Sequence, residues 1–161
     1  MSNIVVIFLA IAIDQLTKIF IVSNYNTLLF SEDIIPNFLR FTYITNDGIA
    51  FGLDPFGGSR FILLIVSIIA VLFVIKILVE SANESKLLQF GLSLILGGAL
   101  GNLIDRLFTT FNFMGYNGVI DFIDIGIKDY RFYIFNFADF FISLGIILYL
   151  ISFIKSKTIN E

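Results

Sequence analysis

Four stretches of this sequence stay apolar for about twenty residues each, the length needed to cross the hydrocarbon core of a bilayer. They run over about 4–22, 61–79, 87–104 and 133–154. In lipid a backbone must satisfy its own hydrogen bonds, so each stretch is predicted to be a helix. Composition agrees. Of 161 residues, 58% are hydrophobic and 14% charged, whereas a soluble domain is nearer half and a quarter. The net charge of −3 leaves no basic footprint for nucleic acid. The expected fold class is an all-α membrane protein with four transmembrane helices, built as a single integral membrane domain over 1–161. The first span carries Asp14 and Lys18 and lacks the basic leader and Ala-x-Ala-like exit of a cleaved signal peptide. It is read as a retained helix.

Two long connections, 23–60 and 105–132, fall on one side of the membrane, and the short one, 80–86, on the other. Lys86, Lys155 and Lys157 crowd the short set that includes both termini. Arg40, Arg60, Arg106, Lys128 and Arg131 are spread over the much longer opposite set. Positive charge is denser in cytoplasmic loops, so both termini are predicted to be cytoplasmic. In the first long connection, Phe38–Thr45 is aromatic and β-branched and reads as a strand. Asn46-Asp47-Gly48 and Asp54-Pro55-Phe56-Gly57-Gly58 read as turns. A small extracytoplasmic β element is therefore expected within 23–60. The second connection carries Leu107, Phe108, Phe111, Phe113 and Met114, too apolar for a solvated loop, and is expected to lie in the membrane interface.

The few polar residues in the spans converge. Counting 1.5 Å per helical residue puts Asp14 and Lys18 in the outer half of the first span. Asn102, Asp105 and Arg106 fall at the outer end of the third, and Asn136 and Asp139 just inside the fourth. Asp121 and Asp124 precede it. Ionisable groups at such depth are costly, about 2.5–3.5 kcal/mol each on insertion scales, and so need an explanation. One is internal pairing that fixes helix packing, for which Asp14 and Lys18 are suitably spaced at i, i+4 and Asp105 and Arg106 can find partners. Another is a proton or ion relay in a transporter. A third is an aspartic membrane protease centred on Asp121 and Asp139. Without a single His or Cys, Ser-His-Asp, Cys-His and the usual zinc, haem and iron–sulfur sites are ruled out. Peptide hydrolysis then needs two carboxylates that share a proton. No cofactor or metal is expected. Gly97, Gly98 and Gly101 read as close helix packing.

Five motifs then appear in order. They are Asp14-Gln15-Leu16-Thr17-Lys18, Asn46-Asp47-Gly48-Ile49-Ala50-Phe51-Gly52, the run from Gly97-Gly98 to Asn102 and Asp105-Arg106, Val119-Ile120-Asp121-Phe122, and Phe135-Asn136-Phe137-Ala138-Asp139. Together the chain resembles the bacterial lipoprotein signal peptidases, or signal peptidase II. The resemblance implies a membrane aspartic endopeptidase that removes the signal peptide from diacylglyceryl-modified prolipoproteins, cutting before the lipidated Cys of the lipobox. It places the catalytic aspartates at Asp121 and Asp139, with Asp124 the local competitor for the first. Asp14, Lys18, Asn46, Gly48, Asn102, Asp105, Arg106 and Asn136 become binding or supporting residues. It also implies a β-cradle in the first external loop, a site near the extracytoplasmic face of the inner membrane, lateral entry of substrate from lipid, a monomer, and inhibition by cyclic peptides of the globomycin type. Two departures from the family pattern stand out. Residues Leu107–Gly118 make a longer segment than usual between Arg106 and Val119, and Phe140 follows Asp139 where a small residue is the rule.

Overall fold

The computed structural model describes residues 2–24, 31–48, 59–128 and 130–159. The predicted turn at 54–58 and the motif residues 49–52 lie outside them. Helices α1 (Asn3–Ser23), α2 (Arg60–Glu80), α3 (Lys86–Thr110) and α4 (Phe137–Ile159) form the bundle. All four are long and apolar enough to cross a membrane. The first two match the predicted spans within a residue or two. The third runs six residues further, to Thr110. The fourth begins at Phe137, so 133–136 are extended chain and Asn136 stands before the helix, not inside the span where the sequence reading put it.

Helix α3 is central, packed against α1, α2 and α4. Its small residues make that possible. A Cβ at Gly97 would lie 2.6 Å from Ala10 Cβ of α1, and one at Gly101 2.5 Å from an Asp14 carboxylate oxygen. Gly98 lies equally close to the Ala138 backbone of α4. The outward faces stay apolar: Phe61, Ile65, Ile69, Leu72 and Phe73 of α2 are all more than half exposed. A helix apolar on its exposed face belongs in lipid.

Strands β1 (Glu32–Ile35), β2 (Leu39–Asn46), β3 (Val119–Ile127) and β4 (Tyr130–Arg131) form one antiparallel sheet in that order. The predicted strand at 38–45 is β2. The sheet is not confined to 23–60, however. Its most buried strand, β3, comes from the connection expected to lie in the interface. β3 is covered on both faces, which explains its near-continuous apolar sequence. Ile120, Phe122 and Ile123 pack with Ile21 of α1 in a core that ties the sheet to the bundle. The long 107–118 segment is absorbed by the extra turn of α3, a left-handed stop at Asn112 (φ 53°) and a 3-10 turn at Phe113–Gly115. Phe108 holds it, with ring centroids 5.1 Å from Phe113 and 5.3 Å from Tyr116.

Candidate active site

Lys18 lies at the heart of the polar cluster, fully buried. Its Nζ is 2.8 Å from a carboxylate oxygen of Asp14, 2.8 Å from one of Asp105 and 3.0 Å from Asn102 Oδ1. An ammonium has three protons, and three acceptors meet them. The Asp14–Lys18 pair expected from spacing is thus present. Asp105 and Arg106 also find partners, but not each other. Asp105 turns to Lys18 and accepts from the Ile120 backbone N–H at 3.2 Å. Arg106 instead donates to the Gly48 carbonyl at 3.0 Å, within electrostatic range of Asp121 and Asp139. The reason is reach: the four-carbon stem of Lys18 spans from α1 to α3 and takes both buried carboxylates. Gln15, quoted in the first motif but given no role, joins them. Its amide donates to Asp14, Asp105 and the Gly101 carbonyl, each at 3.1 Å. Its position beside Asp14 was the available signal.

The second group rests on this first one. Asn136 caps α4: its Oδ1 accepts from the Asp139 N–H at 2.9 Å, while an Asp139 oxygen accepts from the Asn136 N–H at 3.3 Å. This reciprocal arrangement is a capping box made with Asn and Asp. Asp14 accepts from the next free donor, the Ala138 N–H, at 2.9 Å. The start of a helix favours negative charge, and two carboxylates occupy it. The Asn136 amide donates to Asp121 Oδ1 at 2.7 Å and is also shared with Asn102 Oδ1 and the Ile120 carbonyl. Asn102 donates to Asp139 at 2.9 Å and Asn46 to Asp121 Oδ2 at 3.1 Å. Asn46 is itself fixed by an Asx turn, its Oδ1 accepting from the Gly48 N–H at 2.9 Å. Asp121 and Asp139 therefore meet at one residue, Asn136, whose side-chain amide holds the first carboxylate and whose backbone N–H holds the second, brought there by β3 and the first turn of α4.

Asp124 does not join them. Side chains three apart on a strand face opposite sides. Asp124 pairs with Arg131 at 2.8 Å and accepts from Thr42. Phe140 also points away: it is 46% exposed and contacts the rings of Phe137 and Phe141. Among the described residues, every other buried aspartate has a cation: Asp14 and Asp105 share Lys18, and Asp124 has Arg131. Among the described residues, Asp121 and Asp139 form no ion pair. Burial, then the charge of Asp139, pushes the Asp121 carboxyl from its ordinary 3.8 up to about 7, against the hydrogen bonds from Asn46 and Asn136.

Fold and site define a class, a multi-pass membrane protein with a carboxylate pair that makes no ion pair among the described residues, at one end of its helix bundle. Known proteins narrow it. The family model for signal peptidase (SPase) II matches residues 6–155. The lipoprotein signal peptidase of Clostridium tetani is 39% identical over 156 residues, 95% of this chain and 92% of that protein. That of Buchnera aphidicola is 37% identical over 145 residues, 89% and 87% of the two chains. A bacterial membrane enzyme solved in meso at 2.3 Å resolution superposes with a TM-score of 0.80 at 31% identity, covering 99% of this chain and 91% of that one. The chain belongs to the signal peptidase II family, the membrane aspartic proteases that remove signal peptides from prolipoproteins.

Proposed function

We propose that Asp121 and Asp139 are the catalytic pair of this peptidase, acting on diacylglyceryl-modified prolipoproteins just before the lipidated Cys. The observation that carries the assignment is that Asn136 holds both carboxylates while, among the described residues, neither makes an ion pair. Two close carboxylates cannot both ionise cheaply, so one keeps a proton. Asp121, the more deeply buried and titrating near 7, is the acid. Asp139 is the base. In the reaction, Asp139 takes a proton from water as its oxygen attacks the scissile carbonyl, and Asp121 gives its proton to the carbonyl oxygen. The resulting gem-diol collapses as Asp139 passes its proton to the departing Cys nitrogen and Asp121 recovers one from the diol hydroxyl. Asn102, Asn46 and Asn136 hold the two carboxylates, Gly48 and Arg106 close the side facing β2, and the Lys18–Asp14–Asp105 group fixes the helices beneath.

The charge pattern supports cytoplasmic termini, and hence a site towards the extracytoplasmic face of the inner membrane. The exposed apolar faces of the helices support lateral arrival of a substrate that carries its own signal helix and acyl chains. The same reading includes one membrane domain acting as a monomer, with globomycin-type peptides competing at the carboxylate pair. The pH dependence of kcat/KM tests the acid–base roles, because it reports groups of the free enzyme. The rate is expected to fall as pH rises through about 7, where Asp121 loses its proton. A rate that climbs steadily to pH 9 and beyond would remove Asp121 from the acid role.

A further inference from the structure

The 107–118 segment carries four aromatic rings, and the fold treats them in two pairs. Phe108 and Tyr116 turn inwards. They meet edge to face with centroids 5.3 Å apart, and Tyr116 packs on the core that joins sheet and bundle. Phe111 and Phe113 turn outwards and are 67% and 52% exposed. The turn that presents them is built rather than loose. Asn112, at φ 53°, stops α3 between the two rings, a 3-10 turn follows at once, and the Phe113 ring also rests 5.1 Å from that of Phe108. Large apolar side chains held in the open on an ordered turn call for a partner.

Level and charge say what that partner is. Thr110 Oγ1 donates to the Arg60 carbonyl at 3.4 Å, so the turn abuts the start of α2. The 21 residues of α2 rise about 31 Å, the thickness of a hydrocarbon core. The 25 residues of α3 rise about 37 Å and overshoot into the headgroup layer. Arg60 is exposed at that boundary, where a cation meets lipid phosphates. Phe61 beside it is 62% exposed and opens the lipid-facing side of α2, with which the turn is continuous. No charged residue stands between Arg106 and Asp121, so the turn offers nothing to a charged protein partner. The chain also has no Trp, so an aromatic belt at the bilayer surface must use Phe and Tyr. We propose that Phe111 and Phe113 are an interfacial anchor, seated in phospholipid at the boundary of headgroups and acyl chains, on the membrane surface where the carboxylate pair lies. Through Phe108 and Tyr116 the anchor is tied to β3, and so it fixes the depth of the strand that carries Asp121. The inference goes beyond the peptidase reading and stands without it.

The test uses the full chain, in which any Trp introduced is the sole indole. Phe111→Trp and Phe113→Trp are made separately, so that either can carry the test. Ile69→Trp, midway along α2 and 60% exposed, is the deep standard, and Glu84→Trp, exposed between α2 and α3, is the water standard. Each is reconstituted in vesicles of phosphatidylcholine and phosphatidylglycerol, brominated either near the headgroup end or near the methyl end of the acyl chains. Both test positions are expected to emit to the blue of Glu84→Trp and to be shielded from iodide. Shallow bromines are expected to quench them about twofold more than deep ones, as for a side chain seated at the headgroup boundary. Ile69→Trp should show the opposite order. Emission and iodide quenching equal to those of Glu84→Trp would leave the turn in water and overturn the anchor. Blue-shifted emission that neither set of bromines quenches would mean that protein covers the rings, and overturns it too. So does quenching in the order shown by Ile69→Trp, which would sink the turn into the hydrocarbon. Cleavage is not part of the readout, so failure of the anchor and failure of the peptidase reading are distinguished.

Discussion

Lys18 shows how a membrane protein keeps charge where charge is expensive. It is fully buried, yet each of its protons has an acceptor, and it neutralises two carboxylates from different helices. Removing one member of such a group leaves the others uncompensated. Lys18→Met is expected to cost about 3–5 kcal/mol of stability, seen as a large fall in the thermal unfolding midpoint in detergent. An unchanged midpoint would mean that the three groups are not coupled. Asp121 has the opposite character. Its carboxyl is raised to about 7 in the fold and is ordinary in the unfolded chain, so the native state holds a proton that the unfolded state gives up. Its contribution is complete below about pH 4 and is lost as pH rises through about 7. The midpoint of the parent should fall from pH 5 to pH 8 by more than that of Asp121→Asn, and parallel curves would contradict the raised value. Most of this was visible in the sequence: Asp14, Lys18, Asn102, Asp105, Asn136, Asp121 and Asp139 come together as the depth count expected, while Asp124 stands apart with Arg131. Beyond the Asp14–Lys18 pair, what was not visible was who pairs with whom. Adjacent residues such as Asp105 and Arg106 point different ways from a helix, and the partner of Asp105 is Lys18, far away in the sequence and across a helix–helix contact.

At the scale of elements, the glycines of α3 do the positioning. Gly97 and Gly101 let α1 approach closely enough for Lys18 to reach Asp105, and Gly98 brings the first turn of α4 to Asn102. At Gly101 a methyl group would lie 2.5 Å from the Asp14 carboxylate, itself the cap of Ala138. Gly101→Ala is therefore expected to push α1 and α4 off the site, costing about 1–3 kcal/mol and most of the cleavage rate. Full activity with parental stability would show that the contact is softer than drawn. The helices were readable because twenty apolar residues admit few alternatives. Strand β3 was missed because Val119–Ile127 is buried on both faces and puts one aspartate on each, so the period-2 alternation that marks a half-buried strand is absent there. Its partner β2, with one face less covered, kept the signal. The α4 start was misplaced by four residues because Tyr133, Phe135 and Phe137 extend the apolar run, while the capping of Asn136 on Asp139 sets the true boundary.

As a whole molecule the protein joins a lipid-facing bundle to a sheet through β3, and the carboxylate pair lies at that junction. The proposed orientation across the membrane rests on the Lys and Arg pattern. A Cys introduced at Ser59, just before α2, is expected to react with an impermeant maleimide in intact cells. Labelling only after lysis would invert the orientation. The central claim is that Asp121 and Asp139 together hydrolyse the prolipoprotein. Its most direct test is mass spectrometry of a purified diacylglyceryl-modified lipobox precursor incubated with the parent, Asp121→Asn and Asp139→Asn enzymes. Loss of the signal peptide is expected with the parent alone, both variants remaining folded. Cleavage by either variant at the parental rate would contradict it.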